Sequence, residues 1–179
     1  MKRSLATRLT LLAAALGAFA ALPAAAQTPP ATTGDTPRTA EVVAEVSTER
    51  TVIAVPAFAT PAVVNVAGLS TGTLGRQIAD VIAADLERSG LYAPLGPGSV
   101  RAITMGEVRA PQFADWQARN ADNVVHGFVQ ASSTGGLVVG CYLYDTALQT
   151  ELVRQGYEIQ PGDWRRAAHK CADAIYSRL

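Results

Sequence analysis

Three β-rich runs stand in close succession in this chain: NVVHGFVQ at 123–130, LVVGCYLYD at 137–145 and ELVRQGYEI at 151–159. Such a cluster commits a large part of the chain to sheet, and the remaining elements must pack on it. Thr134-Gly135-Gly136 lies between the first two runs and predicts a hairpin. Upstream, TVIAVPAF at 51–58 is short and continuously apolar, as a buried strand is, and Pro56 puts its end at an edge or a bulge. Val42, Val43 and Val46 in AEVVAEVS suggest a further strand before it.

Two longer helices are expected. In the first, Leu74, Ile78, Val81, Ile82 and Leu86 recur at helical spacing on one face. Ser70, Thr71 and Thr73 are N-cap candidates, and Gly90 suits the C′ position. Arg76 and Asp80 are spaced as an i,i+4 ion pair. The segment ahead of this helix, TPAVVNVAGLSTGTLG, reads as a loop. LYAPLGP follows as a short strand or extended piece, SVRAITM is a weak segment, and Phe113–Arg119 forms one or two helical turns. The last helix runs from an Asp163 cap to Leu179, with Trp164, Ala168, Cys171, Ile175 and Leu179 facing inward. The order β-β-α-(β)-β-β-β-α predicts an α+β two-layer fold, a mixed sheet with both longer helices on one face.

The N-terminus sets the compartment. Lys2, Arg3 and Arg8 precede an apolar run, Leu11–Leu22, and Ala24-Ala25-Ala26 forms a small-residue cleavage site. Residues 1–26 thus read as a secretory signal peptide, cleaved after Ala26, and no stable membrane insertion is expected afterwards. Three of the 15 basic residues leave with it while all 15 acidic residues stay, so 12 cations face 15 anions, a net charge of −3. That balance excludes a nucleic-acid footprint. Residues 27–39, QTPPATTGDTPRT, have almost no large apolar side chain and are expected to be a disordered Pro/Thr-rich leader, with one domain over 40–179.

No constellation of residues points to catalysis, a cofactor or a metal. Gly68 to Gly75 is glycine-rich and opens a helix, but lacks the lysine and the spacing of a phosphate loop, so an ordinary turn is the better reading. His126 and His169 have no partner at ligand spacing, and are expected as a half-buried strand residue and a residue of the last helix. Ser70 has no nucleophile-elbow context. Asp80, Asp85 and Glu87 read as a solvated helix face.

The cysteines say more. Val139, Cys141 and Leu143 share a strand face, and Cys171 lies on the apolar stripe of the last helix. If that face meets that helix, the thiols point into one layer. A disulfide is expected in an exported protein, with two buried free cysteines as the alternative.

Several phrases together carry a family resemblance: IAVPAF at 53–58, LGRQIADVIAADLERSGLYAPL at 74–95, FADWQARNADNVVHGFV at 113–129, LYD at 143–145 and DWRRAAHKCADAIYSRL at 163–179. In this order, behind a signal peptide, they resemble the N-terminal domain of the TolB family, periplasmic proteins of the Tol–Pal system of Gram-negative bacteria. The resemblance covers residues 40–179. It implies a small α/β unit without enzymatic activity that works through protein partners, keeping the outer membrane attached and drawing it inward at division. The family continues into a C-terminal β-propeller, absent before Leu179, and Pal binding is implied only through that propeller. The partner implied for the present residues is the C-terminal domain of TolA, met by the start of the mature chain: Glu41, Val42, Val43, Glu45, Val46 and Ser47. The alternative is a free-standing periplasmic regulator of a peptidoglycan synthase or a secretion pore.

Overall fold

The computed structural model describes residues 49–179. The sheet has five strands: β1 (Thr51–Ala54), β4 (Tyr92–Leu95), β5 (Asn123–Ala131), β6 (Leu137–Asp145) and β7 (Thr150–Ile159). Their spatial order is β4-β1-β5-β6-β7. β1 runs parallel to both neighbours, whereas β5, β6 and β7 form an antiparallel meander. The sheet is therefore mixed, and the fold is the expected α+β arrangement.

Continuous burial of the 53–55 stretch follows from a central position for β1. Proline has no N–H to give to a ladder. The chain accordingly leaves the β1–β5 pairing at Ala54, passes Pro56, and rejoins β5 at Ala59. There the Ala59 amide donates to the Gly127 carbonyl and the Val129 amide to the Ala59 carbonyl, both at 2.9 Å.

The segment expected as a loop contains a small hairpin, β2 (Asn65–Val66) and β3 (Leu69–Ser70). Ala67 and Gly68 make its turn with φ of 49° and 82°, as tight two-residue hairpin turns require. Thr71, the first residue of α1 (Thr71–Arg88), fastens the hairpin. Its hydroxyl donates to the Ala62 carbonyl at 3.0 Å and accepts from the Val64 amide at 3.1 Å. Ser70 holds the N-cap position without a side-chain cap bond. At the other end Gly90 takes φ 76° just past Ser89, the C′ role its sequence position suggested.

Helices α1 and α3 (Trp164–Tyr176) cover one face. Leu74, Ile78, Ile82 and Leu86 from α1, and Trp164, Ala168, Cys171 and Ile175 from α3, close over Ile53, Val55, Val125, Val139 and Leu143. Leu179 departs from the expected stripe: α3 ends at Tyr176, and Leu179 is 46% exposed. On α1 the ion pair is Arg88–Asp85 at 2.7 Å, and among the described residues none joins Arg76 to Asp80.

The opposite face of the sheet is also covered. Residues 96–122, including the short helix α2 (Phe113–Gln117), lay Ile103, Val108 and Trp116 over Ala54, Val124, Tyr142 and Tyr144. Strand alternation explains the split: Val124 and Val125, or Tyr142 and Leu143, are neighbours in sequence that serve different layers.

Candidate partner-binding site

The predicted contact segment, Glu41 to Ser47, lies outside the described residues. What can be described is how the domain holds the chain immediately after it. The Thr51 amide donates to the Leu91 carbonyl at 3.1 Å, and the Val52 amide to Asp122 Oδ2 at 2.8 Å. The Asp122 amide returns a bond to the Val52 carbonyl at 2.8 Å. Both edges of β1 are thus engaged within its first two residues, and the chain that precedes it leads into the centre of the sheet.

A groove of about 450 Å³ opens beside this point, lined by Glu49, Thr51, Leu91, Tyr92, Asn123, Tyr176 and Leu179. Leu91, Tyr176 and Leu179 are about half exposed there. The rings of Tyr92 and Tyr176 meet edge to face with centroids 6.4 Å apart. Burial, then the neighbouring Tyr176, raises the Tyr92 hydroxyl above its ordinary range.

Cys141 and Cys171 are joined by a disulfide, with Cα atoms 6.2 Å apart, and both are fully buried between β6 and α3. No thiol is left to act as a nucleophile or metal ligand, because these are the chain's two cysteines. Among the described residues no group of three or more His, Cys, Asp or Glu side chains gathers as a metal site.

His126 is fully buried on the second face, not half-buried as the strand pattern suggested. Its Nδ1 donates to the Glu107 carbonyl at 2.8 Å, which leaves Nε2 as a neutral acceptor. Burial pushes its pKa down to about 4, against a smaller opposing pull from that carbonyl. Trp116 meets it edge to face at 5.6 Å, and Arg101 lies 5.3 Å above the Trp116 ring. Arg101 also bonds Glu107 at 2.5 Å and Asp115 at 2.8 Å, and the Arg101 hydrogen bond is the main reason Glu107 falls to about 2. Nothing in the periodicity of residues 96–122 announced this clamp. It pins an irregular segment to the sheet. His169 is exposed and bonds Asp85 at 2.5 Å, tying α3 to α1.

The glycine-rich stretch is explained by packing. Gly75 lies against the Phe58 main chain, where a Cβ would collide, and its carbonyl accepts the Phe58 amide at 3.0 Å. Close approach of the helix to the Phe58 main chain requires glycine there, without reference to phosphate.

The family model for the TolB amino-terminal domain matches residues 39–152. The chain belongs to the TolB family, over its amino-terminal domain. The Tol-Pal system protein TolB of Sphingopyxis alaskensis is 65% identical over 169 residues, covering 94% of this chain and 37% of that protein. That of Rhizorhabdus wittichii is 49% identical over 127 residues, covering 71% of this chain and 29% of that protein. The crystal structure of TolB from Acinetobacter baumannii superposes with a TM-score of 0.56 at 26% identity, over 73% of this chain and 28% of that one. The chain therefore spans about a third of the length of the TolB relatives it matches.

Proposed function

We propose that this domain is a non-catalytic, exported component of the periplasmic Tol–Pal system, supporting outer-membrane integrity and invagination at division through protein contacts. Membership of the TolB family is the observation that carries this reading. It is supported by the structural bridge that takes up both cysteines.

Within this reading, residues 41–47 contact the C-terminal domain of TolA. Glu41 and Glu45 interleave with Val42, Val43 and Val46, a composition suited to adding a strand to a partner's sheet. Attachment of the segment to a central strand supports the assignment, since a partner pulling on it would load the whole sheet. The test is calorimetric titration of the TolA C-terminal domain with residues 27–179 and with the same chain lacking 27–47. Loss of at least tenfold in affinity is expected while the circular dichroism spectrum stays folded. Equal affinity would place the interface elsewhere.

A further inference from the structure

β7 is an edge strand with one side unpaired. It is the longest strand, at 10 residues, and carries no proline. The opposite edge, β4, has four residues and includes Pro94, so it offers little to a partner. On β7 one side is paired with β6 from Leu137↔Ile159 to Asp145↔Thr150. On the other side the Arg178 side chain donates to the Leu152 carbonyl at 3.3 Å. Alternation along the strand then turns the N–H and C=O groups of Arg154, Gly156 and Glu158 outward as well. A Cβ at Gly156 would meet nothing within 4 Å, so the sheet face is open at that residue as well.

A groove of about 560 Å³ runs between this edge and α3. Tyr157, Ile159 and Ala167 form its apolar part, and Arg166 and Lys170 stand along the helix wall. The Tyr157 hydroxyl donates to the Lys170 carbonyl at 3.3 Å, and the Lys170 ammonium sits 5.9 Å from the Tyr157 ring. Arg166 has one loose, exposed contact, with Asp163 at 3.3 Å, and among the described residues Lys170 pairs with no carboxylate. Glu158 also borders the groove, but its carboxylate accepts from Ser132 and Thr134 hydroxyls at 2.6 and 2.9 Å. The helix side of the groove thus presents Arg166, with Asp163 beside it, and the carboxylate-free Lys170 above a free row of backbone donors and acceptors.

We propose that this groove binds an extended, acidic segment of another protein as a sixth strand of the sheet. The main chain of the ligand would pair with Arg154–Glu158, and carboxylates on its helix-facing side would meet Arg166 and Lys170. A second copy of the chain fits less well. Two-fold pairing of β7 with itself would bring Arg166 and Lys170 against their own counterparts, with like charges at close range.

The probe is a blocked eight-residue peptide alternating valine with glutamate, and its control replaces each glutamate with lysine. The purified exported chain is titrated at low salt and followed by amide NMR. Saturable shifts are expected at 154–158 and 166–170, with at least tenfold weaker binding of the lysine peptide. Arg166→Glu with Lys170→Glu, both on the exposed helix face, is expected to weaken the glutamate peptide at least tenfold. Gly156→Pro, checked for folding by circular dichroism, is expected to abolish binding by removing an outward N–H. Equal binding of the two peptides, shifts away from β7 and α3, or a charge-reversed chain that binds unchanged would overturn the proposal. So would sedimentation showing that the chain dimerises through β7.

Discussion

Cys141 in the middle of β6 is bonded to Cys171 in the middle of α3, so a covalent link crosses the sheet–helix interface at full burial. The bridge spans a sequence separation of 30 residues that includes β7 and its turns. Closing a loop of that size restricts the unfolded chain and contributes roughly 3–4 kcal/mol in the chain-entropy model. Cys141→Ala with Cys171→Ala should lower stability by about that amount in urea titrations. Alkylation of exported protein after denaturation without reductant, read by mass spectrometry, should find no free thiol; denaturation is needed because both cysteines are buried in the folded protein. Two free thiols would contradict the bridge.

Trp164 begins α3 and is 6% exposed, with Arg165 stacked 4.3 Å from its ring centroid. It is the largest side chain α3 contributes to the core, and truncation would leave a cavity at the point where the helix docks. Trp164→Ala should cost about 3–5 kcal/mol. A loss under about 1 kcal/mol in the same titration would mean that the ring contributes little to docking.

The helix-covered layer was largely legible in the sequence, and the opposite layer was not. Leu74, Ile78, Ile82 and Leu86 are spaced for one helix face, and Val139, Cys141 and Leu143 for one strand face, because each pattern is imposed by a single flat neighbour. Residues 96–122 have no period, since they cover the sheet as an irregular segment. Their order comes from individual anchors: Trp116 in the layer, and Tyr144 donating to the Val108 carbonyl at 3.0 Å. His126 is more deeply buried than its strand pattern suggests for the same reason, because that segment roofs its face of the sheet. The β2–β3 hairpin leaves little mark in the sequence, because its strands have two residues each and Ala67 occupies a left-handed turn position normally marked by Asn or Gly. Leu179 continues the helical spacing past the point where the helix stops. The expected contact residues Glu41–Ser47 rest on sequence and family alone.

The clamp around His126 makes stability depend on acidity in two stages. His126 has an ordinary pKa of 6.5 when exposed and about 4 when folded, so the unfolded chain takes up a proton that the folded chain refuses. Its contribution is complete above about pH 6.5 and falls away as the pH drops toward 4, by about 3 kcal/mol across the window. Glu107 acts lower down: its folded pKa of about 2 lies below the ordinary 4.5, so the stability it supplies is lost between those values as the pH falls. Urea midpoints measured from pH 7 to pH 3 should therefore decline first through the histidine window and then further. His126→Gln should flatten the first stage and leave the second. An unchanged first stage in that variant would assign it to another group.

Phe58 and Gly127 provide the final prediction. The Phe58 ring lies directly on Gly127, where a Cβ would collide with three ring atoms, and both belong to the stretch where the chain rejoins β5 after Pro56. Phe58 is 4% exposed and packed in the helix-side core. Gly127→Ala should destabilise by about 1–3 kcal/mol, the usual cost of overpacking a core. Phe58→Leu alone should cost about 1–2 kcal/mol for lost packing, but it removes the ring edge that blocks the new methyl group. The double variant should then be more stable than the sum of the two single losses implies, by at least about 0.5 kcal/mol. Strict additivity in a double-mutant cycle would show that backbone strain in β5, and not the Phe58 ring, sets the need for glycine at position 127.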